Sequence, residues 1–208
     1  MEGESSAHQG IARPQAQILR QPETVIALSA MVGGQMVMAM LMGITSLHMM
    51  EYQHDLEDIS LVISAHTLGM FAFSVFVGRL TDRWGRGPVI VTGAALLVLA
   101  GLLAPLSTAV LPLAVALLSL GLGWNLCYVG GSALLADQLS PAERANTQGT
   151  NDLFIGLATA AASLSGGLLL ATIGFAGTGI VGALISIAPL GLAGWWMIRP
   201  RSALAIRL

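Results

Sequence analysis

The chain has 208 residues, 55% of them hydrophobic and only 10% charged, with 25 glycines and a net charge of −2. Soluble domains carry about a quarter charged residues, so this composition excludes an ordinary water-soluble fold and points to lipid. Every basic residue is an arginine, and the single cysteine, Cys127, excludes an intramolecular disulfide and reads as a small packing residue.

Residues 1–23 form a polar tail. Glu2 and Glu4 make its start unlike a secretory signal, and the first apolar run is too long for a signal core. Pro14 and Pro22 bracket Gln15 to Gln21, which is either a short interfacial helix with Arg13 and Arg20 on anionic headgroups or plain tail. The first spanning helix is expected over 24–49. It is rich in methionine: Met31, Met36, Met38, Met40, Met42 and Met49, with Met50 at its edge. Thioethers suit Cu(I), but alternation from Met36 to Met42 spreads them over several helix faces, so they read as packing and no metal is expected. Gln35 sits near mid-span.

The connector from Glu51 to Asp58 is acidic and contains no arginine. A second span follows over 59–77, with His66 in its outer half as a proton-relay group or a hydrogen-bonding partner for a neighbouring helix. Next comes a charged, glycine-punctuated connector, Gly78-Arg79-Leu80-Thr81-Asp82-Arg83-Trp84-Gly85-Arg86-Gly87-Pro88-Val89-Ile90. Gly85 and Gly87 suit a reversal through positive φ, and Pro88 suits the first turn of the next helix. The arginines suit the inner membrane surface. Gly78, Leu80, Asp82, Arg83, Gly85 and Arg86 together resemble the signature loop of the major facilitator superfamily, Gly-x-Leu-Ala-Asp-Arg-x-Gly-Arg-Arg/Lys. Thr81 stands where a small Ala or Ser is usual, and Gly87 replaces the second basic residue.

A third span is expected over 88–104, a short outer turn between Pro105 and Pro112, and a fourth span over 111–136. The fourth carries Trp124, Asn125 and Tyr128 at mid-membrane, where a buried carboxamide needs another helix or a ligand as partner. Asn125 and Tyr128, three residues apart, are expected on one face, as a cavity wall or as interhelical glue. Ser140, Pro141 and Glu143 restart a helix as N-cap, N1 and N3. From Ser140 to Ile173 it runs about 50 Å, more than a bilayer needs, so its first turns project or bend, with the fifth span at 145–173. Asp152 lies near the inner boundary, as a coupling group or as part of a polar mouth. A glycine turn at 174–177 leads to a sixth span over 178–198, with Pro189 as a candidate kink, Trp195 and Trp196 as interfacial anchors, and a short arginine-bearing tail at 201–208.

With six spans between 24 and 200, all nine arginines fall on one side, which the positive-inside rule makes cytoplasmic for both termini. Leu28 to Gln35 also aligns with Leu118 to Asn125, ninety residues on, as a three-plus-three inverted repeat would require. That alignment pairs Gln35 with Asn125 as facing cavity groups.

The fold class is therefore an all-α membrane protein. The resemblance implies half of a twelve-helix transporter fold, similar to the second half, with a solute cavity lined by Gln35, Trp124, Asn125 and Tyr128. It implies that Asp82 meets a helix terminus in the other half, and that a second six-helix half is supplied by a second copy or a separate chain. Lipid and a small solute are the other expected partners; no cofactor and no nucleic acid are implied. A non-transporting fragment or an assembly subunit is the alternative. An intramembrane serine protease fails because Ser132 has no histidine at matched depth. The chain also has no phosphate-binding loop ending in Lys-Ser/Thr.

Overall fold

The computed structural model describes residues 12–199, which form helices and short connectors with no strand among the described residues. In lipid the backbone must satisfy its own polar groups, and helices do this within one segment. The elements are α1 (Gln15–Leu19), α2 (Pro22–Glu51), α3 (Leu56–Phe71), α4 (Ser74–Trp84), α5 (Arg86–Leu103), α6 (Val110–Asp137) and α7 (Pro141–Ile198), with a 3-10 turn at Ala104–Leu106. The helices α2, α5, α6 and α7 are each long and apolar enough to cross a membrane, and α3 with α4, bent by 40°, reach that length and apolarity together, as a broken span or a re-entrant loop.

The 58 residues of α7 would reach about 87 Å if straight, twice what a bilayer needs. Its neighbours along α2 show that it doubles back. Arg13 and Gln15 meet Glu143 and Thr150, Gln35 meets Thr159, and a side chain at Gly166 would touch Met40. Phe175 then stacks on His48, after which Gly182 faces Leu41, Gly33 faces Pro189, and Trp196 donates to Glu23. The contacts climb α2 and descend it again. Residues 141–173 and 175–198 are thus antiparallel arms, reversed at Gly174, where φ of 72° and ψ of −179° leave the helical region. Only glycine takes that conformation without strain.

Helix packing rests on small residues, because lipid offers no hydrophobic drive between helices. At the α3–α6 crossing, a Cβ on Gly69 would strike the Leu118 carbonyl and one on Gly121 the His66 carbonyl. The interior is built from α2, α5 and α6, with Val37, Leu97, Leu120 and Cys127 fully enclosed. Large apolar side chains on α3, α4 and the first arm of α7 point outward instead, including Leu68, Phe71, Phe76, Leu157 and Leu164.

Several sequence expectations change. Helix two is not continuous over 59–77 but breaks at Ala72 and Phe73. The connector from Gly78 to Ile90 is helical except at Gly85, whose φ is 89°; Gly87 has no positive φ. Gly87 instead clears space for Trp196 and Met197. Helix three starts at Arg86, which moves Pro88 to the third position. Helix five starts at Pro141 and stays helical through Gly149, and Pro189 lies in helix without non-helical dihedrals. The short helix between the prolines is α1. The tail at 201–208 lies outside the described residues.

Candidate functional site

Charge is sorted to the two ends of the bundle. At one end, Arg86 Nε donates to Asp137 Oδ2 at 2.9 Å, and its Nη1 donates to the Thr81 carbonyl at 3.1 Å and to Asp82 Oδ1 at 3.3 Å. The helix ends of α4, α5 and α6 are thereby tied around Gly85. Leu80 packs beside Val77, Val89 and Leu126 under this junction, while Arg83 is exposed. Asp82 is largely exposed, and Arg86 is its one ion-pair partner among the described residues. A Cβ on Gly78 would meet nothing within 4 Å, so local packing does not demand glycine there.

The same end holds a second clasp. Arg13 Nε and Nη2 donate to the two Glu143 oxygens at 2.8 and 2.9 Å, the Arg13 backbone N–H adds a third bond, and Nη2 also reaches the Gln138 carbonyl. Glu143 closes the capping box on Ser140 as well. The Arg13 side chain, then its backbone N–H and that of Ser140, hold the Glu143 carboxyl well below the usual carboxylate range. Arg13, read from the sequence as a headgroup anchor or as plain tail, binds the α6–α7 connector. At the opposite end, His54 Nδ1 lies 3.1 Å from Asp58 Oδ2 and Nε2 lies 2.7 Å from the Thr108 carbonyl.

Midway along the bundle, Trp124 Nε1 donates to Gln35 Oε1 at 2.8 Å, and Gln35 Nε2 donates to Thr159 Oγ1 at 3.0 Å. One hydrogen-bonded line therefore joins α6, α2 and α7. The Trp124 and Tyr128 rings stack at 5.1 Å and 23°, and Phe71 meets Trp124 edge-on at 6.1 Å. Gln35, Trp124 and Tyr128 are half-buried, and Phe71 is exposed. The sequence reading found the first three and missed Phe71 and Thr159. Thr159 lies in a run of small residues, and only the fold brings it to Gln35.

Asn125 does not join this group. It is buried, and its Nδ2 donates to the Met70 carbonyl and, at 2.7 Å, to Ser74 Oγ. The break between α3 and α4 deprives carbonyls at the end of α3 of helical donors, and Asn125 supplies one. A residue rotates about 100° per step on a helix, so Trp124 faces Gln35 while Asn125 faces α3. The expectation that Asn125 opposes Gln35 is corrected accordingly.

His66 is buried with Nδ1 3.1 Å from the Leu117 carbonyl. Asp152 is exposed and accepts from Gln148 Nε2 at 2.9 Å and from the Asn151 amide at 3.5 Å. No hydrogen bond connects the two among the described residues. Met31, Met38, Met40 and Met49 are buried in the packing, and no cluster of three or more His, Cys, Asp or Glu side chains suited to a metal occurs among the described residues.

The family model of the Major Facilitator Superfamily matches residues 27–206. The chain is 34% identical over 173 residues to the uncharacterized MFS-type transporter YdeG of Bacillus subtilis, covering 82% of this chain and 40% of that protein. It is 34% identical over 171 residues to YddS of the same organism, covering 81% of this chain and 39% of that protein. To the riboflavin transporter RfnT of Brucella anthropi it is 33% identical over 163 residues, 78% of this chain and 41% of that protein. The chain spans about two fifths of the length of these curated relatives. Its apolar helices agree with the match, and the chain belongs to the major facilitator superfamily, as an integral membrane protein of a transporter family rather than an enzyme.

Proposed function

We propose that the chain is a six-span half of a facilitator-type permease that moves a small solute once a second half, from another copy or a separate chain, completes it. One observation carries this reading: a loop that resembles the family signature, folded around Gly85 and locked through Arg86 to Asp137, in a bundle whose polar mid-level group, Gln35 with Trp124 and Tyr128, is half-buried. The doubled-back α7 and the bent α3–α4 pair supply six membrane crossings. Arg13, Arg86 and Arg199 gather at the end that also holds Asp137, Glu143 and Trp195, and the acidic connector lies at the other. The positive-inside rule makes the arginine end cytoplasmic, in the cell membrane, with both termini on that side. A bundle of this kind transports by rocking against a second one. We assign the cavity to Gln35, Trp124 and Tyr128, gate contacts to Asp82 and Arg86, and, for a proton-coupled cycle, the coupling carboxylate to Asp152 with His66 as a hydrogen-bonding residue.

The test is uptake by proteoliposomes across a panel of small solutes. Transport that Gln35→Ala reduces at least about tenfold, the loss of about 1.4 kcal/mol of binding, supports the reading. Vesicles inert to the whole panel, with a stoichiometric membrane partner recovered from native membranes, would favour an assembly subunit instead. The outward apolar side chains of α3, α4 and the first arm of α7 are what favour that second reading.

A further inference from the structure

We infer that His54 is a proton-operated latch at the end of the bundle opposite the arginines: its charged ring ties the α5–α6 connector to the start of α3, and its neutral ring lets that connector go. The latch is a regulatory contact within the fold and does not depend on the transport reading.

The backbone aims the ring. Tyr52 caps α2, Gln53 takes a left-handed φ of 62°, and the His54 N–H returns to the Met49 carbonyl at 3.1 Å. With the Gln53 N–H on the Met50 carbonyl, this is a Schellman ending in which glutamine stands at the usual glycine position. A side chain there is strained and persists only where the surroundings hold the turn. The half-buried His54 ring, bonded at both nitrogens, is such a hold.

The two partners lie on different connectors. Nδ1 is 3.1 Å from Asp58 Oδ2, on the first turn of α3, where the Asp58 N–H is itself held by Asp55 Oδ1 at 2.9 Å. Nε2 is 2.7 Å from the carbonyl of Thr108, in the α5–α6 connector. That connector is packed at its start, where a Cβ on Gly179 would come within 2.9 Å of Pro105, but Thr108 and Ala109 are exposed. Among the described residues, no other hydrogen bond joins the two connectors.

Protonation decides whether both contacts survive. A charged imidazole donates from both nitrogens, whereas a neutral one has a single N–H and a lone pair. The lone pair cannot bond an oxygen acceptor, so loss of the proton breaks one of the two. The carboxylate is the stronger acceptor and sits one helical turn away, so the remaining proton stays on Nδ1 and the Thr108 contact is the one released. Ionisable residues on the elements around the ring are Asp55, Glu57 and Asp58 at the start of α3, and His48, Glu51 and Tyr52 at the end of α2. Residues 101–111 and 174–198 supply none. The latch is therefore closed on the acid side and opens as pH rises through the folded His54 pKa.

The experiment uses the full chain in lipid nanodiscs, with nitroxides at Leu56→Cys and Leu106→Cys, two exposed positions that flank the latch. Cys127 is buried and stays unlabelled. Continuous-wave spin resonance from about pH 5 to about pH 9, across the histidine range, reads the dipolar broadening between the two labels. A broadened spectrum at acid pH that narrows in one step as pH rises is expected. His54→Gln should abolish the step. Asp58→Asn keeps an acceptor oxygen but removes its charge, and should move the step to lower pH by about half a unit or more. A spectrum that does not change with pH, a step that persists in folded His54→Gln, or an unmoved step in Asp58→Asn would each overturn the proposal. The Asp58→Asn shift decides the matter even where His54→Gln fails to fold.

Discussion

Arg86 Nε and Asp137 Oδ2 are 2.9 Å apart, which places the first residue of α5 on the last residue of α6. The same guanidinium also holds the Thr81 carbonyl, so one side chain gathers three helix ends. Asp137 is roughly half exposed, and exposed pairs contribute little because water screens them. Asp137→Asn is therefore expected to lower stability by only about 0.5–1 kcal/mol in detergent. A double-mutant cycle with Arg86→Gln should show coupling between the two positions, and strictly additive losses would remove the pair from the junction.

Gly85 carries a different demand. Its φ of 89° and ψ of 166° fall where side chains clash with their own backbone. Nothing else lies within 4 Å of a Cβ built there, so the cost of Gly85→Ala is conformational alone. It is expected at about 1–3 kcal/mol. Thermal unfolding would check this against Gly78→Ala, which lies within α4 with equally open surroundings and is expected to be near neutral or stabilising.

Asn125 is a structural residue in this fold. Removing its amide leaves Ser74 Oγ without a donor and the Met70 carbonyl with only the 3.4 Å bond from the Ser74 hydroxyl, in a water-poor interior. Asn125→Ala is expected to cost about 1–2 kcal/mol of stability. Unfolding midpoints of Asn125→Ala and Gln35→Ala, compared in one detergent, give the measurement. A stable Asn125→Ala chain that lost solute binding would reverse this assignment.

His54 predicts a pH dependence. Its two ring nitrogens both face acceptors, Asp58 and the Thr108 carbonyl, so the doubly protonated ring satisfies both. Asp55, the N-cap of α3, adds its charge. The hydrogen bond to Asp58, then that to Thr108, raises the His54 pKa above its usual 6.5. A raised folded pKa means that the stabilisation is complete below the unfolded value of about 6.5 and is lost as pH rises through the folded value. Unfolding midpoints should fall over that interval in the wild-type chain, and His54→Gln should flatten the profile while lowering the acid-side midpoint. Parallel profiles for the two chains would sink the assignment.

Much of this architecture was legible in the sequence. Long uncharged runs announced spanning helices, arginines clustered between them, and Gly85 stood where a side chain could not. What escaped reading depends on contacts far apart along the chain. Nothing at Ala72 or Phe73 resembles a helix breaker; the interruption survives because Asn125, more than fifty residues on, takes over the Met70 carbonyl. The choice between Trp124 and Asn125 as the partner of Gln35 is one step of helix rotation, which spacing alone does not decide. Arg13 looked like a headgroup anchor because its partner, Glu143, is 130 residues away. A glycine-rich turn was expected at 174–177, yet one residue with positive φ suffices to send α7 back along α2.

The central claim is that this bundle transports only against a second half. Reconstitution at graded dilution, from many copies per vesicle to fewer than one on average, tests it directly, with uptake read vesicle by vesicle. The account predicts that vesicles holding a single copy are inert, and that activity rises with the square of copy number or appears only when a separate first-half chain is added. Uptake by single-copy vesicles, rising in proportion to their number, would contradict it.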